Sequence, residues 1–176
     1  MSALKVLFIV MLISLGMAFF WNSLPIVKET VHLILNPTAG RLLDYNVNLG
    51  MIVIAGIISL FITLIQKYTV DNETLRELKK EQKILQEEIK KFKDHPEKLL
   101  ELQKKQMEFI PKTFNLTMRP LMYTAIPIIL FFRWFSDYFG AFSPPIKIFG
   151  FFSWFWGYLI FSIIFSMIFR KMFKLP

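Results

Sequence analysis

The sequence predicts an all-α integral membrane protein, and three observations carry this prediction. Hydrophobic residues make up 55% of the 176 residues, and the mean hydropathy is +0.48, which is more apolar side chain than a small soluble domain usually contains. The apolar residues gather in four long stretches, and a charge-dense block separates the second from the third. We expect three core transmembrane helices, an N-terminal hydrophobic helix and a cytoplasmic antiparallel coiled-coil hairpin after the first core span.

Six segments follow from these changes in composition. They are an N-terminal hydrophobic segment with an outer interfacial helix (1–47), the first core span (48–68), the cytoplasmic coiled-coil hairpin (69–112), an amphipathic re-entry with the second core span (113–139), an outer loop (140–147), and the third core span with a basic cytoplasmic tail (148–176).

The first apolar stretch, Val6 to Trp21, follows Lys5 and is typical of a signal anchor with its N-terminus inside. No small-x-small cleavage site follows it, so we expect the segment to be retained. We favour a transmembrane span here, and an interfacial helix is the alternative. The segment 25–35 mixes charged and apolar residues, which favours a helix lying on the outer membrane surface.

The other stretches supply the core spans. Leu49–Ile65 carries no charge, Leu121–Phe132 continues in apolar character to Phe139, and Ile148–Phe169 is again free of charge. Only the last reaches the about 20 residues that cross a hydrocarbon layer of about 30 Å. Pro120 and Pro127 remove backbone hydrogen bonds, so they are expected to kink or terminate the third stretch.

The charge-dense block has the spacing of a coiled coil. Its apolar positions, with two glutamines in the same register, are Leu75, Leu78, Gln82, Leu85, Ile89 and Phe92, then Leu99, Leu102, Gln106 and Phe109. Asp94 is a candidate N-cap and Pro96 suits a first helical turn. We expect one long helix from Ile65 into this seam. The block is either a solvated helical hairpin or a docking arm.

Charge predicts the topology. The net charge is +8, and the tail carries Arg170, Lys171 and Lys174 without an acid, which favours a cytoplasmic C-terminus. The coiled coil then also lies inside, and the loop around 140–145 lies outside. We expect a multi-pass protein of the cell (plasma) membrane. No nucleic-acid motif is present, so sequence-specific nucleic-acid binding is not expected.

Enzyme chemistry is not predicted. The chain has no Cys, which removes thiolate catalysis and Cys-ligated zinc. His32 and His95 fall in segments predicted on opposite sides of the membrane, no carboxylate pair falls inside a span, and there is no glycine-rich phosphate loop. We therefore expect no catalytic residues, no metal and no cofactor.

The candidate site residues are polar groups at the spans. Ala55, Ser59 and Thr63 recur every four residues and lead to Gln66 and Lys67. This stripe is either a helix-packing surface, for which small residues are typical, or one wall of a hydrated groove.

Other candidates lie in the third stretch. Arg133 is the only charge inside an apparent span, and we expect it to pair with Asp137 or to extend toward the interface. Met118, Arg119 and Met122 stand where a flexible surface for apolar partners, or an ordinary juxtamembrane linker, is expected.

The order of span, charged hairpin, Met-containing re-entry and two further spans resembles the YidC/Oxa insertase superfamily. The chain is most similar to archaeal YidC-like proteins and to the family of ER membrane protein complex subunit 3. The resemblance rests on the segments 42–68, 75–92 and 101–140. It covers about residues 42–170. Bacterial members place an arginine inside the first core span, and this sequence has none there.

The resemblance implies a membrane protein insertase that works without nucleotide or cofactor. Its groove would be polar, open to cytoplasm and lipid, and closed outside. Its partners would be nascent membrane proteins, the lipid bilayer, and the ribosome through the coiled coil. The alternative is a non-catalytic membrane-anchored coiled-coil scaffold. By position, the groove residues would be Ala55, Ser59, Thr63, Gln66, Lys67, Met118, Arg119, Met122 and Arg133.

Overall fold

The computed structural model describes residues 3–93 and 95–176, and within them the chain is helical, without a strand. The helices are α1 (Ala3–Phe19), α2 (Pro25–Leu35), α3 (Arg41–Tyr45), α4 (Val47–Thr69), α5 (Asn72–Lys91), α6 (Pro96–Thr117), α7 (Arg119–Gly140) and α8 (Trp154–Met172). A short 3₁₀ turn, Trp21–Ser23, precedes α2, and a π-helical segment, Asn36–Gly40, joins α2 to α3.

Two helices, α4 and α8, are long and apolar enough to cross a membrane. The pair α6 and α7 passes the same test only when taken together, with a bend of 51° between its members, and α1 is a shorter apolar helix. The expected all-α membrane architecture is thus confirmed, with two candidate spans, or three when the bent pair is one span. The role of α1 as a further span stays a prediction.

The helices α4, α7 and α8 form a bundle with two distinct ends. At one end, which we call the loop end, the backbone N–H of Phe149 donates to the side chain of Asn48 at 2.7 Å. At the other end, which we call the helix-pair end, Arg76 of α5 donates to the backbone oxygen of Lys174 at 2.7 Å. Helix α8 packs along α4, and α1 packs along α7.

The main hydrophobic core lies at the loop end. Its buried residues are Ala39, Leu43, Met51, Ile54, Ala55, Trp134, Phe135, Phe139, Ile148 and Tyr158. Trp134 and Phe135 are fully buried. The rings of Phe135 and Phe139 stack on Trp154 with centroid separations of 5.7 and 6.0 Å. This aromatic cluster joins α7 to α8.

The expected continuous helix from Ile65 into the charged block is wrong. Helix α4 ends at Thr69, and Val70 has an extended backbone. The carboxylate of Asp71 accepts hydrogen bonds from the backbone N–H and the hydroxyl of Thr74, at 3.1 and 2.7 Å. Asp71 therefore caps α5 and starts a new helix. Asp71 is a residue type that caps helices, and it was the sequence signal for this break that the prediction of one continuous helix did not use.

The two helices of the charged block, α5 and α6, contact each other. All positions of the predicted seam are buried or half-buried. They are Leu75, Leu78, Gln82, Leu85 and Ile89 of α5, Phe92 directly after it, and Leu99, Leu102, Gln106 and Phe109 of α6. The Gln82 side chain donates to the Thr113 hydroxyl at 3.3 Å. We call α5 and α6 the helix pair; its coiled-coil geometry stays a prediction. The Asp94 cap lies outside the described residues.

The prolines of the third stretch do not end its helix. Pro120 lies in the first turn of α7, where a missing N–H is tolerated, and Pro127 lies inside the continuous helix. The apolar run from Ile148, in contrast, is not helical throughout. A tight turn with Gly150 at φ +81° brings Phe152 back to Ile148, and α8 begins only at Trp154.

Two glycines provide a matched test of this packing. A Cβ on Gly50 would lie 2.6 Å from the backbone oxygen of Leu42, whereas nothing lies within 4 Å of a Cβ on Gly16. Gly50→Ala must therefore move the backbone of α3 and lower stability by about 1–3 kcal/mol. Thermal unfolding in detergent micelles should show a lower midpoint for Gly50→Ala and no loss for Gly16→Ala. Equal midpoints would contradict the close approach of α3 and α4.

Candidate functional site

The buried polar side chains lie in a different part of the bundle from the aromatic core. Within the described residues, the buried polar side chains are Ser14 of α1, Ser59 and Thr63 of α4, and Thr124 of α7. Thr63 and Thr124 lie toward the helix-pair end of their helices, and Ser59 lies near the middle of α4. The buried interior is thus aromatic at the loop end and small and polar toward the helix-pair end.

The stripe on α4 faces α8. Ala55, Ser59 and Thr63 are at most 2% exposed. The Ser59 hydroxyl lies 3.2 Å from the backbone oxygen and 3.3 Å from the hydroxyl of Ser162 on α8. Thr63 donates to the backbone oxygen of Ser59 at 2.6 Å. This geometry is that of the packing alternative, and a role of the stripe in a groove stays a prediction.

The continuation of the stripe reaches the surface at the helix-pair end. Gln66 is half-buried and accepts a hydrogen bond from Arg170 of α8 at 3.3 Å. The exposed Lys67 ammonium lies 4.9 Å from the ring centroid of Phe173 in the C-terminal tail, a cation–π contact. Polar and cationic groups thus succeed the buried hydroxyls along one line of α4.

The break between α6 and α7 lies near the break between α4 and α5. Met118 and Met122 are half-buried and Arg119 is exposed. Hydrogen bonds from Thr74 lower the pKa of the Asp71 carboxyl, and the positive charge of Arg119 adds to this. Because α7 begins at Arg119 and runs to the loop end, Arg119 lies at the same end of the bundle as Asp71, which follows α4.

Arg133 does not pair with Asp137, and that alternative is wrong. The Asp137 carboxylate instead accepts from the indole of Trp21 at 2.7 Å and lies 3.0 Å from the His32 ring and 3.3 Å from the Lys28 ammonium. Arg133 is half-buried with its guanidinium carbon 5.8 Å from the Trp21 ring centroid. Its buried Nε has no hydrogen-bond partner in the part of the chain that the structure describes. The Asp137 carboxylate therefore binds three groups of the N-terminal segment instead of Arg133.

Sequence reasoning therefore missed the polar anchors at the loop end. Besides Asp137, the Trp134 indole donates to Asn36 at 2.8 Å and the Tyr138 hydroxyl donates to Asp44 at 2.5 Å. A carboxylate that lies among apolar residues is stable only when hydrogen-bond donors surround it, so the sequence indicated that Asp137 has a partner. It did not identify Trp21 and His32, since both lie more than a hundred positions away in the chain.

No metal centre is evident. Within residues 3–93 and 95–176, no three His, Cys, Asp or Glu side chains come together as ligands. The arrangement offers hydrogen-bonding and cationic groups at one end of a helical bundle, and these can bind or hydrate polar parts of another molecule.

The family model of EMC3/TMCO1-like integral membrane proteins matches residues 32–176. The chain belongs to this family. The EMC3/TMCO1-like family is part of the YidC/Oxa1/Alb3 superfamily, so the superfamily resemblance is confirmed, while the closeness to archaeal YidC-like proteins stays a prediction. No curated protein and no solved structure matches the chain.

Membership in the EMC3/TMCO1-like family indicates an integral membrane protein with an insertase-related role. The match includes the stripe on α4, the helix pair, α7 and α8, and it begins inside α2. Helix α1 and the Trp21 anchor lie outside it. The N-terminal helix is thus joined to the family core through Asp137 on α7.

The anchor predicts how the N-terminal segment is held. Asp137→Ala removes the acceptor of Trp21, His32 and Lys28, and each hydrogen bond to a charged group contributes about 1.5–3 kcal/mol. The variant should unfold at a lower temperature, and chymotrypsin should cut faster at the exposed Phe19. Asp44→Ala, which loses only the exposed Tyr138 contact, should change cleavage at Phe19 little. If the two variants are cut at equal rates, Asp137 does not hold α1.

The cap of α5 predicts a pH dependence. Since Thr74 holds the pKa of Asp71 below its usual value of 3.8, the cap stabilises α5 fully above that value. Stability is then lost as the pH falls through the lowered pKa. Helical circular dichroism should decrease in this acid range in the native chain. Asp71→Asn still caps but does not titrate, so the part of the decrease due to the cap should be absent.

Proposed function

We propose that this EMC3/TMCO1-like protein is a membrane protein insertase that works without a chemical step. The observation that carries the proposal is the division of the bundle interior. Aromatic rings fill the loop end, whereas small hydroxyl side chains lie toward the helix-pair end. An interior closed at one end and polar toward the other suits the passage of a polar flank part-way into the bilayer.

The cost of that passage explains why such an interior is useful. One charge at the bilayer centre costs about 2.5–3.5 kcal/mol on insertion scales, and more in simulations. The hydroxyl groups of Ser59, Thr63 and Thr124 would offer hydrogen bonds to the polar flank at a depth in the bilayer that bulk water does not reach.

Charge supports a cytoplasmic helix-pair end. Arg170 and Lys171 lie in the last turn of α8, and Lys67 lies in the last turn of α4. Positive residues beside spans mark the cytoplasmic face. We therefore place the helix pair and the C-terminus in the cytoplasm, and the loop end outside or, in an internal membrane, on the lumenal side.

The groove in this proposal runs from the surface residues to the buried hydroxyls. Lys67, Arg119, Gln66 and the two methionines, Met118 and Met122, form its entrance. Thr63, Ser59 and Ala55 follow along α4, and α8 or α7 must move away from the stripe to admit a client segment. Arg133 lies beside the Trp21 ring rather than on this line, so its part in the groove has no structural support.

The entrance can be tested by charge reversal. Lys67→Glu with Arg119→Glu replaces two cations at the place where an acidic or neutral flank enters. Each Lys or Arg near a membrane surface contributes about 1 kcal/mol of attraction to an anionic group. Insertion of a client with a short acidic translocated flank into proteoliposomes should slow by about fivefold or more. The insertion rate is measured by the protection of the translocated flank from an added protease.

The matched control is Lys79→Glu with Lys83→Glu, which reverses two exposed charges on α5 away from the entrance. This control should insert the same client at the native rate, and both proteins should keep their helical content. Equal insertion by the native protein and the entrance variant would contradict the proposal.

The scaffold alternative makes the opposite prediction for the stripe. If the protein only anchors the helix pair, Ser59→Leu with Thr63→Leu should leave its function intact. In the insertase, the same pair of substitutions removes the hydroxyls and should reduce insertion while the bundle stays folded. Native insertion rates in this variant would favour the scaffold.

A further inference from the structure

A groove on the helix pair has a chemistry that the insertase proposal does not use. It measures about 400 Å³ and is lined by Glu81, Ile84, Leu85, Glu88, Lys105, Glu108, Phe109 and Lys112. Leu85 and Phe109 belong to the seam between α5 and α6, so they form its floor. Ile84 is 59% exposed and adds an accessible apolar side chain beside this floor.

The rim of the groove is acidic in effect. Its two lysines are engaged: the Lys105 ammonium lies 3.0 Å from Glu101, and the Lys112 ammonium lies 5.8 Å from the centroid of Phe109. The three glutamates, Glu81, Glu88 and Glu108, have no ion pair with any residue in the described ranges. The pKa of Lys105 is raised by its hydrogen bond to Glu101 and also by the charges of Glu88 and Glu108. The rim thus carries three carboxylates against two ammonium groups around an apolar floor, a net charge of −1.

The acidic rim is part of a two-sided charge distribution on α5. Glu77, Glu81 and Glu88 share one face, at spacings of four and seven residues, while Lys79, Lys83 and Lys90 share the opposite face at the same spacings. Like charges four residues apart destabilise a helix slightly. The pair Glu77 and Glu81 thus carries a small cost in the isolated protein that a cationic partner would remove.

We propose that this groove binds a basic amphipathic protein segment, namely the positively charged flank of a newly made membrane protein. An apolar side chain of the flank inserts between Ile84, Leu85 and Phe109, and its lysines or arginines pair with the three glutamates. A groove of this size holds one or two anchor side chains of a helix rather than a whole span. The identification of this occupant rests on the proposed insertase function.

Two observations favour this occupant over nucleic acid. The net negative charge of the rim disfavours phosphates, so a ribosome would have to present a protein surface rather than RNA on this side. In addition, flanks that stay in the cytoplasm are rich in Lys and Arg, which complements the rim. Ile84 lies twelve residues after the start of α5, about 18 Å from the bundle, where a flank could be held while its apolar segment enters.

Binding can be measured on the full chain in nanodiscs of zwitterionic lipid. The probe is a fluorescent amphipathic peptide of Leu and Lys, and fluorescence anisotropy reports its affinity. Glu81→Gln with Glu88→Gln should weaken binding by about five- to tenfold, and Ile84→Ser should weaken it without changing the charge. The affinity should fall as salt is raised.

The matched controls are Glu87→Gln with Glu97→Gln, which removes two charges outside the groove, and Leu100→Ser, which removes an apolar side chain 58% exposed outside the groove lining. Both should bind the peptide as the native chain does. Three outcomes would overturn the proposal: equal weakening by the groove and control pairs, equal binding of a Leu and Glu peptide, or stronger binding of single-stranded RNA than of the basic peptide.

The failure of this proposal can be told from the failure of the insertase. If the groove variants lose peptide binding but insert clients with basic and neutral retained flanks equally well, binding at the groove is real and its client is not a flank. If the Lys67 and Arg119 reversals leave insertion unchanged while peptide binding persists, the insertase function fails and the groove stands as a peptide site.

Discussion

The fold depends on one asymmetric contact, the aromatic cluster that joins α7 to α8 at the loop end. Among the described residues, every aromatic contact between these helices involves Phe132, Phe135 or Phe139 on α7. Beyond Phe132, toward the helix-pair end, α7 has no such attachment to α8. In the insertase proposed above, α7 and α8 would separate first at that end, where no aromatic ring bridges them in the part of the chain that the structure describes.

The polar anchors strengthen the same end. Asp137, Trp134 and Tyr138 of α7 bind groups on the N-terminal segment and α3, so α7 is attached on both of its sides near the loop. At the helix-pair end, α8 and its tail are held by hydrogen bonds from Arg170 to Gln66 at 3.3 Å and from Arg76 to Lys174 at 2.7 Å. In the insertase proposed above, the loop end would stay closed and the helix-pair end would open.

Sequence reasoning predicted the elements better than their contacts. Apolar stretches and the seam spacing identified α4, α8 and the helix pair, because burial in lipid or between two helices leaves a periodic signal in a single segment. The break at Asp71 was missed, although its capping chemistry is local. The partners of Asp137 could not be found from the sequence, because contact between residues distant in the chain leaves no local pattern.

The candidate site shows the same limit. The stripe Ala55, Ser59 and Thr63 was recognised from its spacing, but spacing does not say which helix faces it. The structure places α8 there, through Ser162. Arg133 was singled out as a lone charge in an apolar stretch, and its neighbour is the Trp21 ring.

The central claim is that water enters this interior from the helix-pair end. It is tested most directly by the rate at which a water-soluble thiol reagent modifies single cysteines, placed one at a time at positions 66, 63, 59 and 55 in nanodiscs. The chain has no native Cys, so each signal is specific. We predict rates that fall in this order toward the loop end and exceed the rate at Ile57, an apolar residue of α4 that is 59% exposed on the outside of the bundle. Rates at 63 and 59 as slow as the rate at 57 would contradict the account.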